Sequence, residues 1–314
     1  MKPKAIVTMP PYAPYLDEVL AHPAVSGIRL NTVMPVKGTL EDILSRLKNH
    51  ADKQDKDVYI DLKCRQLRVK TYGVPPFTEI ELTHNITVRT PVKAYFSDGK
   101  ESATVLEIDG NKLIMQEGPK RVVGPGESVN ILDHSLHIDG YFTDRDKACI
   151  EAGQKVGIAS YMLSFVEGQE DIDELHKLAP DVHAVAKIES RKGLDFVRHR
   201  YDGKTRLMCA RGDLYVEVGL PHKIIEAERL IVKRNPQAII ASRILPSLSE
   251  SLEPDCRDIN DVDNLLRMDY RTVMLGDDIC QHRDSVISAL NLYEAIASSY
   301  ETKHSKIIPV HLFK

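Results

Sequence analysis

Short apolar runs rich in β-branched residues recur along the chain, separated by segments whose apolar positions repeat at three and four. The runs are KAIVT from Lys4, GIRLN from Gly27, VYIDL from Val58, VGIASYM from Val156, HAVAKIE from His183, RLMCARG from Arg206, AIIASRI from Ala238 and TVMLGDD from Thr272. TLEDILSRLKNHADK, DRDKACIEAG, PHKIIEAERLIVKRN and DSVISALNLYEAIASSY lie between or after them with helical periodicity. Eight strand and helix alternations predict a closed parallel (β/α)8 barrel, with an open doubly wound sheet as the competing arrangement.

One interval breaks the rhythm. From about Val69 to Leu136 the pattern turns to short alternating strands with hairpin signals at Asp98-Gly99 and Asp109-Gly110. This predicts a small all-β module inserted after the third strand, where it would sit over the barrel mouth as a lid. The expected division is 1–68 barrel, 69–136 lid and 137–314 barrel.

Composition narrows the partners. The 314 residues are 42% hydrophobic and carry a net charge of −4, enough to bury a large core. Basic runs and interleaved basic and aromatic residues are missing, which argues against nucleic acid and membrane surfaces and favours small solutes. Cys64, Cys149, Cys209, Cys256 and Cys280 show no metal or redox spacing and read as reduced thiols. MKPKAIVTMPPY lacks the parts of a signal peptide, so a cytoplasmic location is expected. Exposed helix faces of a barrel often pair; a homo-oligomer stays open, with no residue to decide it.

Candidate chemistry gathers where the strands end. In a barrel the loops at that end converge on one pocket. The second strand finishes in Arg29 and Asn31, the third in Asp61, Lys63 and then Arg68, and the fifth, in AVAKIES, in Lys187 and Glu189. The later strands finish in Arg211 and Asp213, in Ser242 and Arg243, and in Asp277 and Asp278. Lys187 and Glu189 alone read most simply as a local ion pair, and any one of the others as a solvated loop residue. Together, Glu189 and Asp213 could share one Mg²⁺ or Mn²⁺, with Lys187 and Arg29 adding positive charge for a phosphate or carboxylate. In ARGDL, Gly212 permits close backbone approach.

AVAKIES and MCARGDLYVEV resemble stretches of pyruvate kinase, and KAIVTMPP, GIRLN, IDLKCRQLR, LSFVEGQED, IIASRIL and PDCRDINDVDNLL match that family in order. The resemblance runs through nearly the whole chain. It implies a TIM barrel with an inserted β lid and Mg²⁺-dependent phosphoryl transfer between phosphoenolpyruvate or pyruvate and a nucleotide. On this resemblance Glu189 and Asp213 hold the metal, Lys187 stabilises the phosphoryl group and Arg29 contacts it. Gly212, Asp213 and Ser242 line the substrate pocket, with Ser242 near the carbon that is protonated. Arg68 meets the nucleotide, and Asn31 and Asp61 stand at a monovalent-cation position.

The departures matter as well. Val33 and Met34 replace a Ser and a His, which leaves potassium open as a cofactor. Glu127 replaces a lid lysine, with Lys120 or Arg121 as candidate compensation, and Tyr215 replaces a glycine. The chain ends at KIIPVHLFK, so the family's C-terminal domain is not expected. A metal-dependent oxoacid lyase or aldolase and a non-catalytic phosphoenolpyruvate- or pyruvate-binding protein are the alternatives.

Overall fold

The computed structural model describes residues 3–34, 37–75 and 79–303; KIIPVHLFK at 306–314 lies outside them. The first three strands are β1 (Lys4–Thr8), β2 (Val25–Asn31) and β3 (Asp57–Leu62), with α1 (Leu16–Ala21) and α2 (Leu40–Asp52) between them. The inserted segment contributes β4 (Glu79–Glu81), β5 (Ile86–Thr87), β6 (Val92–Phe96), β7 (Glu101–Asp109), β8 (Lys112–Met115), β9 (Val129–Ile131) and β10 (His137–Ile138). The barrel resumes with α3 (Asp144–Lys155), β11 (Ser160–Leu163), α4 (Gln169–Leu178), β12 (His183–Ile188) and α5 (Arg191–His199). It closes through β13 (Arg206–Ala210), α6 (Arg211–Glu217), α7 (Lys223–Arg234), β14 (Ile239–Ala241), α8 (Cys256–Arg267), β15 (Thr272–Leu275), α9 (Asp277–Cys280) and α10 (Arg283–Lys303).

Eight of these strands form a closed barrel in the order β1-β15-β14-β13-β12-β11-β3-β2, all neighbours parallel. The closed barrel holds and the open sheet does not. Apolar side chains on one strand face meet the helices, while the alternate face fills the bore. Ile6, Tyr59, Met162, Val185, Met208, Ile239 and Met274 pack together inside it. Two residues further along the same strands the bore turns polar, at Thr8, Asp61, Ser164 and Lys187, all buried. Period two therefore carries each strand from a greasy plug to a charged mouth. Gly27 makes room for that plug: a Cβ there would lie 2.9 Å from the Tyr59 ring and 2.7 Å from the Asp57 carbonyl oxygen.

Several strands are shorter than their apolar runs suggest. The run from Val156 starts as a strand only at Ser160, because α3 continues to Lys155 and Gly157 follows in the left-handed region with φ 75°. β13 ends at Ala210, and Arg211 already opens α6. β14 ends at Ala241, since Ser242 and Arg243 are both left-handed, with φ 68° and 55°.

The inserted strands form a five-stranded antiparallel sheet, β4-β8-β7-β6-β9, with a separate β5-β10 pair. Both hairpin signals are realised: Ser97, Asp98 and Gly99 turn β6 into β7, and Gly110 turns β7 into β8 with positive φ. The sheet has its own apolar cluster, from Leu67 to Ile131, separate from the barrel core. Its β6–β7 turn reaches the barrel, where a Cβ on Gly99 would lie 3.0 Å from Val216 of α6. Among the described residues no helix is long and apolar enough to cross a membrane.

Candidate active site

The mouth divides into a side rich in cations and a side short of them. Asp61, at the end of β3 and with no exposure, anchors the first. Arg29 Nε donates to its Oδ2 at 3.0 Å, a second guanidinium nitrogen joins the same oxygen, and Lys63 Nζ donates to it at 2.7 Å. Asp61 Oδ1 has no well-angled hydrogen bond, and its contact with Lys187 Nζ at 3.2 Å is electrostatic. Burial alone would push the Asp61 carboxyl up, but Arg29, Lys187 and Lys63 outweigh it and hold it well below the ordinary range. Burial pulls Lys63 down to about 7, with Arg29 and Lys187 adding to the effect and Asp61 opposing it. Arg29 is further fixed by Thr8 Oγ1 at 3.0 Å, and Asn31 Nδ2 donates to Asp277 at 2.9 Å.

Lys187 stands at the boundary. Its ammonium donates to Ser164 Oγ at 2.7 Å and pairs with Glu189 Oε1 at 3.1 Å as well as with Asp61. Burial pulls it down, yet the two carboxylates prevail and the group is held above its ordinary value. The other Glu189 oxygen accepts the Phe165 backbone N–H at 2.9 Å.

Beyond Glu189 the acids have only neutral hydrogen-bond donors. Asp213, in the first turn of α6, accepts from Gln66 Nε2 at 2.7 Å and from Asn130 Nδ2, on β9 of the inserted sheet, at 3.1 Å. Burial first, then Glu189 and Asp98, push Asp213 up to about 7, against Arg68 and the Asn130 hydrogen bond. Glu217 is pushed up to about 8, chiefly by burial, and shares the Asn130 amide at 3.4 Å. Asn130 Oδ1 is buried without a hydrogen-bond partner. Among the described residues no three His, Cys, Asp or Glu side chains converge as a metal cluster. Any divalent ion at Glu189 and Asp213 would complete its shell with other oxygens. A cleft of about 490 Å³ opens beside Glu217 and Ser190, between the inserted strands and the loops that follow β11 and β12.

The third part of the mouth is a clamped turn. Arg211 Nε donates to the Ser242 carbonyl at 3.1 Å and its Nη2 to the Arg243 carbonyl at 2.8 Å, while Asp261 grips the same guanidinium at 2.8 and 2.7 Å. Left-handed backbone in non-glycine residues costs of order 1–3 kcal/mol each, and this clamp offsets it. Gly212 lies alongside, where an added Cβ would be 3.5 Å from Ser242 Oγ. Tyr215, one turn further along α6, carries the Arg243 guanidinium over its ring at 4.2 Å.

Lys187, Glu189, Arg29, Asn31 and Asp61 thus share one connected network with Lys63 and Asp277. Gly212 and Ser242 meet at the next strand ends. Arg68 reaches the acid side through Gln66, donating to its Oε1 at 2.6 and 3.0 Å and to the Gly126 carbonyl. Glu127 is neutralised by Arg121, with Ser97 Oγ donating to it at 2.8 Å, whereas the Lys120 backbone N–H bonds Glu101. Sequence reasoning passed over Gln66, Asn130 and Glu217. Their only signal was position: Gln66 precedes Arg68 by two in IDLKCRQLR, and Glu217 follows Asp213 by four on one helix face.

A family model described as pyruvate kinase, barrel domain, matches residues 46–281. The pyruvate kinase of Thermoplasma acidophilum is 26% identical over 303 residues, which covers 88% of this chain and 54% of that protein. Pyruvate kinase of Debaryomyces hansenii is 28% identical over 229 residues, 68% of this chain and 45% of its own, and that of Thermotoga maritima 24% over 275 residues, 77% and 58%. The chain spans about half the length of the curated relatives it matches. With the match covering most of a barrel that closes strand by strand, this chain belongs to the pyruvate kinase family.

Proposed function

We propose that the chain is a Mg²⁺-dependent phosphotransferase acting between phosphoenolpyruvate, or a related enol phosphate, and a nucleotide. The observation that carries this reading is the place of Lys187, whose ammonium spans the neutralised Asp61 and Glu189, the edge of an acid group whose other carboxylates, Asp213 and Glu217, make no ion pair among the described residues. Glu189 and Asp213 fit a divalent ion: both offer hard carboxylate oxygens, Asp213 is buried on amide donors alone, and the Asn130 amide oxygen beside it lacks a partner. When bound, Mg²⁺ would neutralise charge on phosphoryl and enol oxygens.

The protein's own groups do the rest. Lys187 faces the migrating phosphoryl group as a point charge, and Arg29, oriented by Asp61 and Thr8, adds fixed positive charge. The bond from phosphorus to the enol oxygen breaks as a bond to the terminal oxygen of the nucleotide forms. The enolate carbon then takes a proton from water held near Ser242, with Gly212 leaving the space. Arg68 contributes to the nucleotide side. Asn31 and Asp61 do not fit a monovalent cation, because Arg29, Lys63 and Lys187 already surround the carboxylate and would repel another positive ion.

Phosphorus NMR of the protein with phosphoenolpyruvate, Mg²⁺ and a panel of nucleoside diphosphates, with and without K⁺, tests the proposal. Transfer to at least one acceptor is expected; silence across the panel sinks it. A second reading, metal-dependent lyase chemistry on an oxoacid enolate, draws on the acidic Glu127 and its Arg121 partner at the lid position where a lysine was expected. Exchange of pyruvate methyl protons with deuterated water, without nucleotide, would favour that reading.

A further inference from the structure

Arg243 differs from Arg29 and Arg211 at the same mouth. Arg29 and Arg211 are buried and ion-paired, to Asp61 and Asp261. Arg243 is exposed and, among the described residues, makes no ion pair. It is nonetheless held. Its backbone is left-handed, its carbonyl is clamped by Arg211, and its guanidinium lies on the Tyr215 ring at 4.2 Å. Stacking on an aromatic face engages the plane of a guanidinium and leaves its edge N–H groups free, the arrangement that suits a two-pronged grip on a carboxylate or phosphate. The residue before it is Ser242, and Tyr215 rises from the same helix as Gly212, whose open flank faces Ser242.

We infer that Arg243, presented by Tyr215, binds a second anionic group on the substrate, attached to the carbon that is protonated. The preferred substrate is then an oxoacid or enol phosphate longer than pyruvate, with a carboxylate or phosphate at its far end. This rests on the enolpyruvyl-pocket reading above. Tyr215 acts as the positioning residue, since without its ring the guanidinium would sample many rotamers before meeting the anion.

Thermal-shift titrations in Mg²⁺ with pyruvate and with freshly prepared oxaloacetate, which differ by one carboxylate on that carbon, test the inference. Wild type should bind oxaloacetate at least about tenfold more tightly than pyruvate, the worth of a charge-assisted bidentate contact. Arg243→Gln should bring that ratio close to one, and Tyr215→Ala should reduce it severalfold, while Tyr215→Phe retains it. A ratio near one in wild type, or one that survives Arg243→Gln, overturns the inference while leaving the pocket reading in place. Failure of both acids to bind sinks the pocket reading and this inference with it. Inorganic phosphate that binds alone and is lost in Arg243→Gln, with no preference between the two acids, would assign Arg243 to a separate anion and overturn the substrate assignment.

Discussion

The two carboxylates Asp61 and Asp213 are similarly deep in the same mouth, yet their surroundings are opposite. Three cationic groups converge on Asp61 and hold it ionised, whereas Asp213 meets only amide donors and is pushed up to about 7 by burial and neighbouring acids. Depth alone does not set the charge state; the partner does. The Asp61 side is complete as folded and behaves as scaffold. The Asp213 side is left uncompensated, which is where a ligand can be bound most profitably.

The comparison breaks first at Asp61. Asp61→Ala strands Arg29, Lys63 and Lys187 in the interior and should lower stability by about 3–5 kcal/mol in urea denaturation. A loss below about 1 kcal/mol would mean that these cations find water or other partners. Asp213→Asn should act in the opposite direction, stabilising the metal-free protein by ~2 kcal/mol at pH 8 because an uncompensated buried charge is removed. Millimolar Mg²⁺ should raise the denaturation midpoint of wild type and leave that of the same variant unchanged. A destabilised Asp213→Asn, or one that still responds to Mg²⁺, would refute the contrast.

A pH series sharpens the point. The Asp213 pKa of about 7 lies above its ordinary 3.8, so the folded state binds a proton that the unfolded chain has released. Stability from this group is therefore full below about pH 4 and is lost as pH rises through 7. Metal-free wild type should fall in urea midpoint relative to Asp213→Asn between pH 5 and pH 8, and Mg²⁺ should cancel the difference. Parallel curves would show that Asp213 stays ionised throughout. The smallest effect is expected at the lid: Glu127→Gln breaks a pair whose Arg121 partner is exposed and should cost no more than ~1 kcal/mol in the same assay.

Barrel and inserted sheet were legible because periodicity and turn chemistry act locally. Alternation placed Asp61, Lys187 and Arg29 at strand ends, and Asp-Gly pairs marked both hairpins. The strand limits were harder to read, since Ser242 and Arg243 adopt a glycine-like conformation that only the distant Arg211 and Asp261 explain. Gln66 and Asn130 were missed for a related reason. They are neutral amides without a pattern of their own, and each meets Asp213 across a long loop of chain, 147 and 83 residues away. A charge at the end of a strand announces itself; the group that holds it in place belongs to another part of the sequence.

The absent side chain of Gly27 has a consequence for traffic. It lets the Tyr59 ring lie across the bore, so the cavity of about 550 Å³ at the opposite rim, which touches Tyr59 and Val185, meets a stopper of packed side chains before it could reach Lys187. The charged mouth around Lys187 is thereby closed off from that rim, and a group bound at the rim could act on the mouth only by shifting the strands between them.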